Sequence, residues 1–306
     1  MRRIHSAPHA LSLVVPFLDA GRWLPITVPS LLAQSTPIEL VFVDDGSTDD
    51  SAARLSLLLA EHEARTRSLG HRVRVMRLRE NQGRSVARNT GVSASQAPLV
   101  AFVDADVALP PDWAAQQVEA HERYGAVAVV PRRVPLGLDP TDDFHRYLRR
   151  KEGAIGAGRA GAVLPWKQFV TAAVTVRRRA FLEVGGFDPA ISYGEDTDLG
   201  LRLGAAHPRG LRLHPGNIAY HHDPDTLERA LANFSRFGRR DLPALLERHH
   251  SLHDDTASAG TRGALARTLA QLVPPRLIRG VLPHLPASLH TLGVRGLCLR
   301  ALQAPA

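Results

Sequence analysis

The chain has a single cysteine in 306 residues, Cys298, so it holds no internal disulfide and no zinc site built on paired cysteines. A lone thiol fits a reducing compartment. Lysine is almost as scarce: Lys151 and Lys167 are the only two, and arginine supplies the rest of the basic charge that leaves the chain at +8. Such an excess suits nucleic acid, anionic headgroups or a diphosphate, and charge by itself does not choose among them. Aromatic residues make up only 5% and are not interleaved with the basic ones, which argues against a nucleic-acid surface. No uninterrupted apolar run reaches the ~18 residues of a membrane span. The opening residues MRRIHSAPHA carry positive charge, but the LSLVVPF that follows is broken at Pro16, too early for a secretory leader. These absences leave a globular cytoplasmic protein as the expectation, with any membrane contact peripheral.

What is present is an alternation of short apolar runs and helical spacings. Residues 11–15 (LSLVV) and 38–43 (IELVFV) read as buried strands, and between them Leu24, Val28, Leu31 and Leu32 recur at helical spacing. The pattern continues with a helix over about 49–67, a strand at 72–78, a helix over about 83–95 and a strand at 99–103. This predicts a parallel sheet with right-handed crossovers, whose ligands bind beyond the carboxyl ends of the strands. From about 110 to 170 the pattern loosens into a helix to about 124, a strand at 126–130 and an Arg- and Gly-rich stretch read as a mobile substrate loop. A strand at 169–176 and a helix at 195–206 follow, and the sheet is expected to end after His222. The organisation is therefore a catalytic domain over 1–225 and a helical, Arg-rich extension over 226–306. Between Thr256 and Ala306 there are six arginines and no acidic residue, and Pro274, Pro275, Pro283 and Pro286 cut that segment into short pieces.

Three acidic motifs carry chemistry. VDADV at 103–107 ends a strand in Asp104 and Asp106; strand alternation would put both carboxylates on one side, a hard-oxygen site for Mg²⁺ or Mn²⁺ shared with a diphosphate. Taken alone the spacing is better explained by a solvated turn. In VDDGSTDD at 43–50, Asp44 and Asp45 suit ribose hydroxyls or a base N–H, while Ser47 or Thr48 suits the cap of the next helix. YGEDTDLGLRL at 193–203 starts a helix with Glu195, Asp196 and Asp198. One carboxylate there can take a proton from a hydroxyl, and Asp198 is assigned instead to the helix dipole and surface solubility.

The order LSLVVPFLDAGRWLPITVPSLLAQ, VDDGSTD, NQGRSVARNTG, VDADV, FVTAAVTVRRRAFLEVGGFD, GEDTDLGLRL and AYHH is similar to the family 2 inverting glycosyltransferases of the GT-A fold, over about residues 10–225. The resemblance implies an α/β fold of GT-A type: a mostly parallel nucleotide-binding sheet flanked by helices, here with a helical C-terminal tail. It implies that Pro16 begins the first donor loop, that Asp44 and Asp45 hold the nucleoside, and that Arg88 lies near the donor. Asp104 and Asp106 match the aspartates at the metal and diphosphate, Asp106 being the direct ligand. Asp196 matches the catalytic base, with Glu195 beside it. His221 or His222 matches a histidine that completes the metal site, and His221 is favoured. Trp166 and Lys167 fall in the acceptor region, although a core tryptophan is the plainer reading of Trp166. The implied cofactor is Mn²⁺ or Mg²⁺. The implied donor is a nucleotide sugar, UDP-sugar favoured with GDP and TDP open, and the acceptor a hydroxyl, lipid-linked if the tail lies on a membrane. The reaction is then a single displacement that inverts the anomeric carbon, in cell-surface polysaccharide, glycolipid or other glycoconjugate synthesis.

Two other classes compete. A sugar nucleotidyltransferase would open with a Gly-rich loop after the first strand, where PFLDAGRW has one glycine. A non-catalytic basic binding protein draws support from RRR at 177–179 but has no nucleic-acid motif. The basic tail suits an anionic bilayer at the inner face of the membrane, a helical cap on the catalytic domain, or a dimer contact.

Overall fold

The strands β1 (Leu11–Phe17), β2 (Glu39–Asp44) and β4 (Leu99–Val103) are buried along nearly their whole length. They are apolar over most of their length because the sheet is covered on both faces; of the polar residues they carry, Ser12 donates to Glu39 Oε2 at 2.7 Å and Asp44 closes β2. Alternation sorts their side chains: Leu13, Val15, Leu40, Phe42, Leu99 and Ala101 fill one core layer, while Val14, Val41, Val43, Val100 and Phe102 fill the other. The structure is a computed structural model that describes residues 9–222, 226–236, 240, 241, 245 and 247–249. The basic stretch from Thr256, and with it the expectation of a membrane-bound tail, lies outside the described residues.

Between β1 and β2 runs α1 (Leu24–Leu32), and the next crossover carries α2 (Ser51–Glu61) and α3 (Glu63–Ser68) before β3 (Arg72–Arg77). The single helix expected at 49–67 is thus two, parted at His62, whose ring bonds back to the Leu58 carbonyl at 3.0 Å. Helix α4 (Arg84–Ala94) leads into β4, which a tight turn joins to the two-residue strand β5 (Val107–Ala108). Then come α5 (Trp113–Arg123), β6 (Ala128–Pro135), α6 (Asp143–Gly156), a 3-10 turn at Trp166–Gln168, β7 (Ala173–Arg177), α7 (Arg178–Glu183), α8 (Glu195–Ala206), β8 (Leu211–His221) and α9 (Leu227–Arg236). The segment read as a mobile loop therefore contains a 14-residue helix, α6. Its start is capped by Asp142, whose carboxylate accepts the His145 N–H at 2.8 Å.

The eight strands form one sheet in the order β3-β2-β1-β4-β7-β6-β8-β5. The first four are parallel, as expected, but β7 pairs antiparallel with both β4 and β6, and β5 antiparallel with β8, so the sheet is mixed. The reversal at β7 brings Ala172 against the end of β4, where its carbonyl accepts the Asp104 N–H at 2.9 Å. The described residues group into two units: 9–136 with 152–222, which holds the sheet, and 137–151 with those from 226 onward. Among the described residues no helix is long and apolar enough to cross a membrane.

Candidate active site

Asp44 is the last residue of β2 and Asp45 begins the loop after it; both are buried. Asp44 Oδ1 accepts the Ser47 N–H at 2.7 Å, and Arg77 Nε stands 3.5 Å from Oδ2. The Asp45 carboxylate accepts the N–H groups of Gln82 and Gly83 at 2.9 and 3.0 Å, fastening the approach to α4. Burial pushes the Asp45 carboxyl above its ordinary pKa, against those two backbone bonds. Gly46 turns the chain just after Asp45 at φ +81°, with the Glu80 carbonyl carbon 2.6 Å from where a Cβ would sit. Neither Ser47 nor Thr48 caps α2. That helix starts at Ser51, and residues 47–49 are instead gripped by Asp19: its carboxylate accepts from the N–H of Thr48 (2.8 Å) and Asp49 (3.2 Å), and its own N–H donates to Ser47 Oγ (3.1 Å). Asp19 was not singled out from the sequence. Its signal is a short polar residue two positions past the end of β1 at Phe17, a type that tolerates the positive φ (47°) it adopts there.

The two aspartates of VDADV part company. Strand β4 stops at Val103 and residues 104–106 form a turn closed by Val107 N–H to the Asp104 carbonyl at 3.1 Å, so strand alternation no longer applies to them. Asp104 Oδ1 accepts from Arg88 Nη2 at 2.8 Å. Asp106 Oδ1 lies 3.4 Å from His221 Nε2 instead, because β8 runs antiparallel beside β5 with His221 opposite Val107. His222 is next to the Trp23 ring, 6.5 Å between centroids, and its N–H donates to the Asp106 carbonyl at 2.8 Å. Of the two histidines, it is His221 whose ring reaches the Asp106 carboxylate. Among the described residues no group of three His, Cys, Asp or Glu side chains gathers as a metal site. A carboxylate and an imidazole are nonetheless a donor pair that Mn²⁺ accepts when the other positions are filled by water and diphosphate oxygens, whereas Mg²⁺ would be held by the carboxylate and those oxygens.

Arg88 is buried at the carboxyl end of β4 rather than open to solvent. It is 2% exposed on α4, and while Nη2 holds Asp104, Nη1 donates to Glu195 Oε1 at 2.8 Å. Burial opposes its charge, but the two carboxylates outweigh that and raise its pKa. The neighbouring Asn89, also missed from sequence, bonds Phe187 twice: Nδ2 to its carbonyl at 2.8 Å and Oδ1 from its N–H at 3.0 Å. A polar pair in the middle of an otherwise amphipathic helix was the available signal.

Glu195 and Asp196 open α8. Glu195 is buried on Arg88, with Arg84 Nη1 3.5 Å away. Asp196 is part-buried, and burial, then the charge of Glu195, raise its pKa to about 6, against the pull of its Thr197 N–H bond, Arg88 and Arg133. Arg133, on β6, is itself paired with Glu152 at 2.7 Å. Asp198 is not a surface residue: it is 2% exposed and ion-paired with Arg202, one turn along α8. Trp166 is half-buried in the 3-10 turn, whose backbone packs on α8 so closely that a Cβ on Gly200 would be 2.9 Å from the Trp166 carbonyl oxygen. The fully buried tryptophan is Trp113. Lys167 occupies the same turn, and Pro16 pairs with Val43 in the β1–β2 ladder.

This arrangement has relatives. The pattern described as glycosyl transferase family 2 matches residues 12–185. Succinoglycan biosynthesis protein ExoU of Rhizobium meliloti is 30% identical over 234 residues, 68% of this chain and 61% of ExoU. Validoxylamine A glucosyltransferase of Streptomyces hygroscopicus subsp. jinggangensis is 28% identical over 244 residues, 66% of this chain and 52% of that protein. The chain thus spans between about a third and two thirds of the length of such relatives, the pre-mycofactocin glycosyltransferase of Mycobacterium tuberculosis being matched over 38% of its length. In fold, it is similar to S. aureus TarS 1-349 in complex with UDP (TM-score 0.58, 15% identity, 96% of this chain and 90% of that one). It is also similar to mannosyltransferase PcManGT from Pyrobaculum calidifontis in complex with GDP-Man and Mn²⁺ (TM-score 0.67, 17% identity, 96% and 85%). The fold is of GT-A type, and with the family pattern covering more than half its length, the chain belongs to glycosyl transferase family 2.

Proposed function

We propose that the chain transfers a sugar from a nucleoside-diphosphate sugar to an acceptor hydroxyl, with inversion at the anomeric carbon. The observation that carries this reading is the placing of Asp196, a carboxyl with its pKa raised to about 6, beside Glu195, which Arg88 ties to Asp104, two residues from Asp106. A group poised to take a proton and a group suited to a diphosphate thus belong to one connected cluster. Asp196 takes the proton of the acceptor hydroxyl; the oxygen bonds to the anomeric carbon as that carbon's bond to the diphosphate oxygen breaks, and the nucleoside diphosphate leaves. Asp106 and His221 would hold the divalent cation, which when bound offsets the charge of the leaving diphosphate. Asp44, Asp45 and the loop that follows β1 at Phe17 are assigned to the nucleoside end, the two buried carboxylates by shaping it, Asp44 through the Ser47 N–H and Asp45 through the loop at α4. Trp166 and Lys167 are assigned to the acceptor side.

The donor is proposed to be a UDP-sugar, with GDP and TDP sugars as the other arms of the test, and the acceptor a growing polysaccharide or glycoconjugate, the class ExoU's name points to. Catalysis is assigned to 1–225, and the basic residues beyond 226 to holding that domain at the cytoplasmic face of a membrane near a lipid-linked acceptor. The experiment is release of nucleoside diphosphate from UDP-glucose, GDP-mannose and TDP-glucose with Mn²⁺ or Mg²⁺. Metal-dependent release from one donor, lost in Asp106→Ala, supports the reading. No release and no binding of any donor sinks it.

A further inference from the structure

The Arg88 guanidinium has the position of a tie between two motifs. Its Nη1 and Nη2 each make a 2.8 Å bond, one to Glu195 at the start of α8 and one to Asp104 in the turn after β4. At 2% exposure it has no open face to offer a soluble ligand. Its Cζ is 5.4 Å from the centre of the Phe187 ring, and Phe187 is held in turn by Asn89, the residue after Arg88. A buried guanidinium is costly unless its charge is met, and here two carboxylates meet it, one on Nη1 and one on Nη2, while the buried Nε has no hydrogen-bond partner. Those carboxylates are one and two residues from Asp196 and Asp106 respectively.

We propose that Arg88 is a positioning residue: one guanidinium fixes the turn that presents Asp106 relative to the helix start that presents Asp196, and touches neither donor nor acceptor. This rests on the transfer reading above. The charged groups facing Asp196 are Glu195 on its own helix, Arg88 from α4 and Arg133 from β6. Arg84 also approaches Glu195, at 3.5 Å, but its side chain is about half exposed and water screens it. Removing the Arg88 charge therefore leaves Glu195 to act on Asp196 with Arg133, itself paired with Glu152, as the remaining offset.

The test uses Arg88→Lys, which keeps the charge but reaches only one carboxylate, and Arg88→Met, which keeps the packing without the charge. In donor turnover, Arg88→Lys is expected to lower kcat about tenfold or more while the donor KM stays within about threefold. In Arg88→Met the acid limb of the pH profile is expected to move up by about one unit, the effect of losing an opposite charge nearby. Adding Glu195→Gln to Arg88→Met should bring the limb back, which a role in folding alone would not do. A donor KM raised about tenfold with kcat unchanged would make Arg88 a donor contact and overturn the proposal. So would an unmoved limb in Arg88→Met, or failure of both variants to fold. If the wild type turns over none of the donors, the readout is binding of UDP or GDP with Mn²⁺. Arg88→Lys should then bind within about threefold of wild type, and a tenfold loss overturns the proposal. Asp196→Asn that keeps full turnover sinks the base assignment separately, whatever Arg88 does.

Discussion

Asp196 is the residue on which chemistry and stability pull in opposite directions. A carboxyl raised to about 6 binds its proton more tightly when folded than when unfolded, where the ordinary value is 3.8. Its contribution to stability is therefore present below about pH 4 and is lost as pH rises towards 6. Catalysis needs the same proton gone, so kcat/KM for donor turnover should climb through an apparent pKa near 6. At pH 7.5 Asp196→Asn should melt higher than wild type, by about 2 °C, while losing turnover; a lower melting temperature counts against a cost of keeping this carboxylate charged. Asn89 is the opposite case, a purely structural side chain. Asn89→Ala strips two hydrogen bonds from the backbone of Phe187, itself 1% exposed, and should cost about 2–3 kcal/mol in urea unfolding.

At the scale of elements, α4 crosses β1 at Gly91, where an added Cβ would run into Cγ1 of Val14. Gly91→Ala is expected to destabilise by about 1–3 kcal/mol, and Val14→Ala in the same chain to recover part of that, because the two sites share one contact. Equal losses that simply add would mean the helix does not sit this closely on the strand. The same packing explains which elements could be read in the sequence. Strands β1, β2 and β4 stand out as continuous apolar runs since both faces of their sheet are covered. Strand β8 does not, because Pro215 and Gly216 look like a turn; the strand instead carries them in a register shift between Pro131 and Arg132 of β6. Helix α6 was hidden by its arginines and glycines, which blur the apolar spacing of Phe144, Tyr147 and Leu148. The acidic residues of the site were readable as types at strand and helix ends. Their partners were not: that Asp104 turns to Arg88 and Asp106 to His221 depends on where β4 stops and on the antiparallel β5–β8 pair, neither of which local sequence specifies.

For the whole molecule the net charge of +8 is the property that reaches beyond the site. If the arginines beyond Thr256 hold the chain on an anionic bilayer, each should contribute about 1 kcal/mol near the surface. Full-length protein should then sediment with phosphatidylglycerol vesicles at low salt, and changing Arg262, Arg267, Arg276, Arg279, Arg295 and Arg300 to glutamine should release it. Equal sedimentation of the two proteins removes the membrane from the account. The most direct test of the central claim separates binding from transfer at Asp196, by measuring donor affinity and nucleoside-diphosphate release for Asp196→Asn beside wild type. If Asp196 is the base, affinity stays within about threefold of wild type and turnover falls by about 10²–10⁴, the range for loss of a general base. Turnover preserved, or turnover and affinity lost together, would contradict that role.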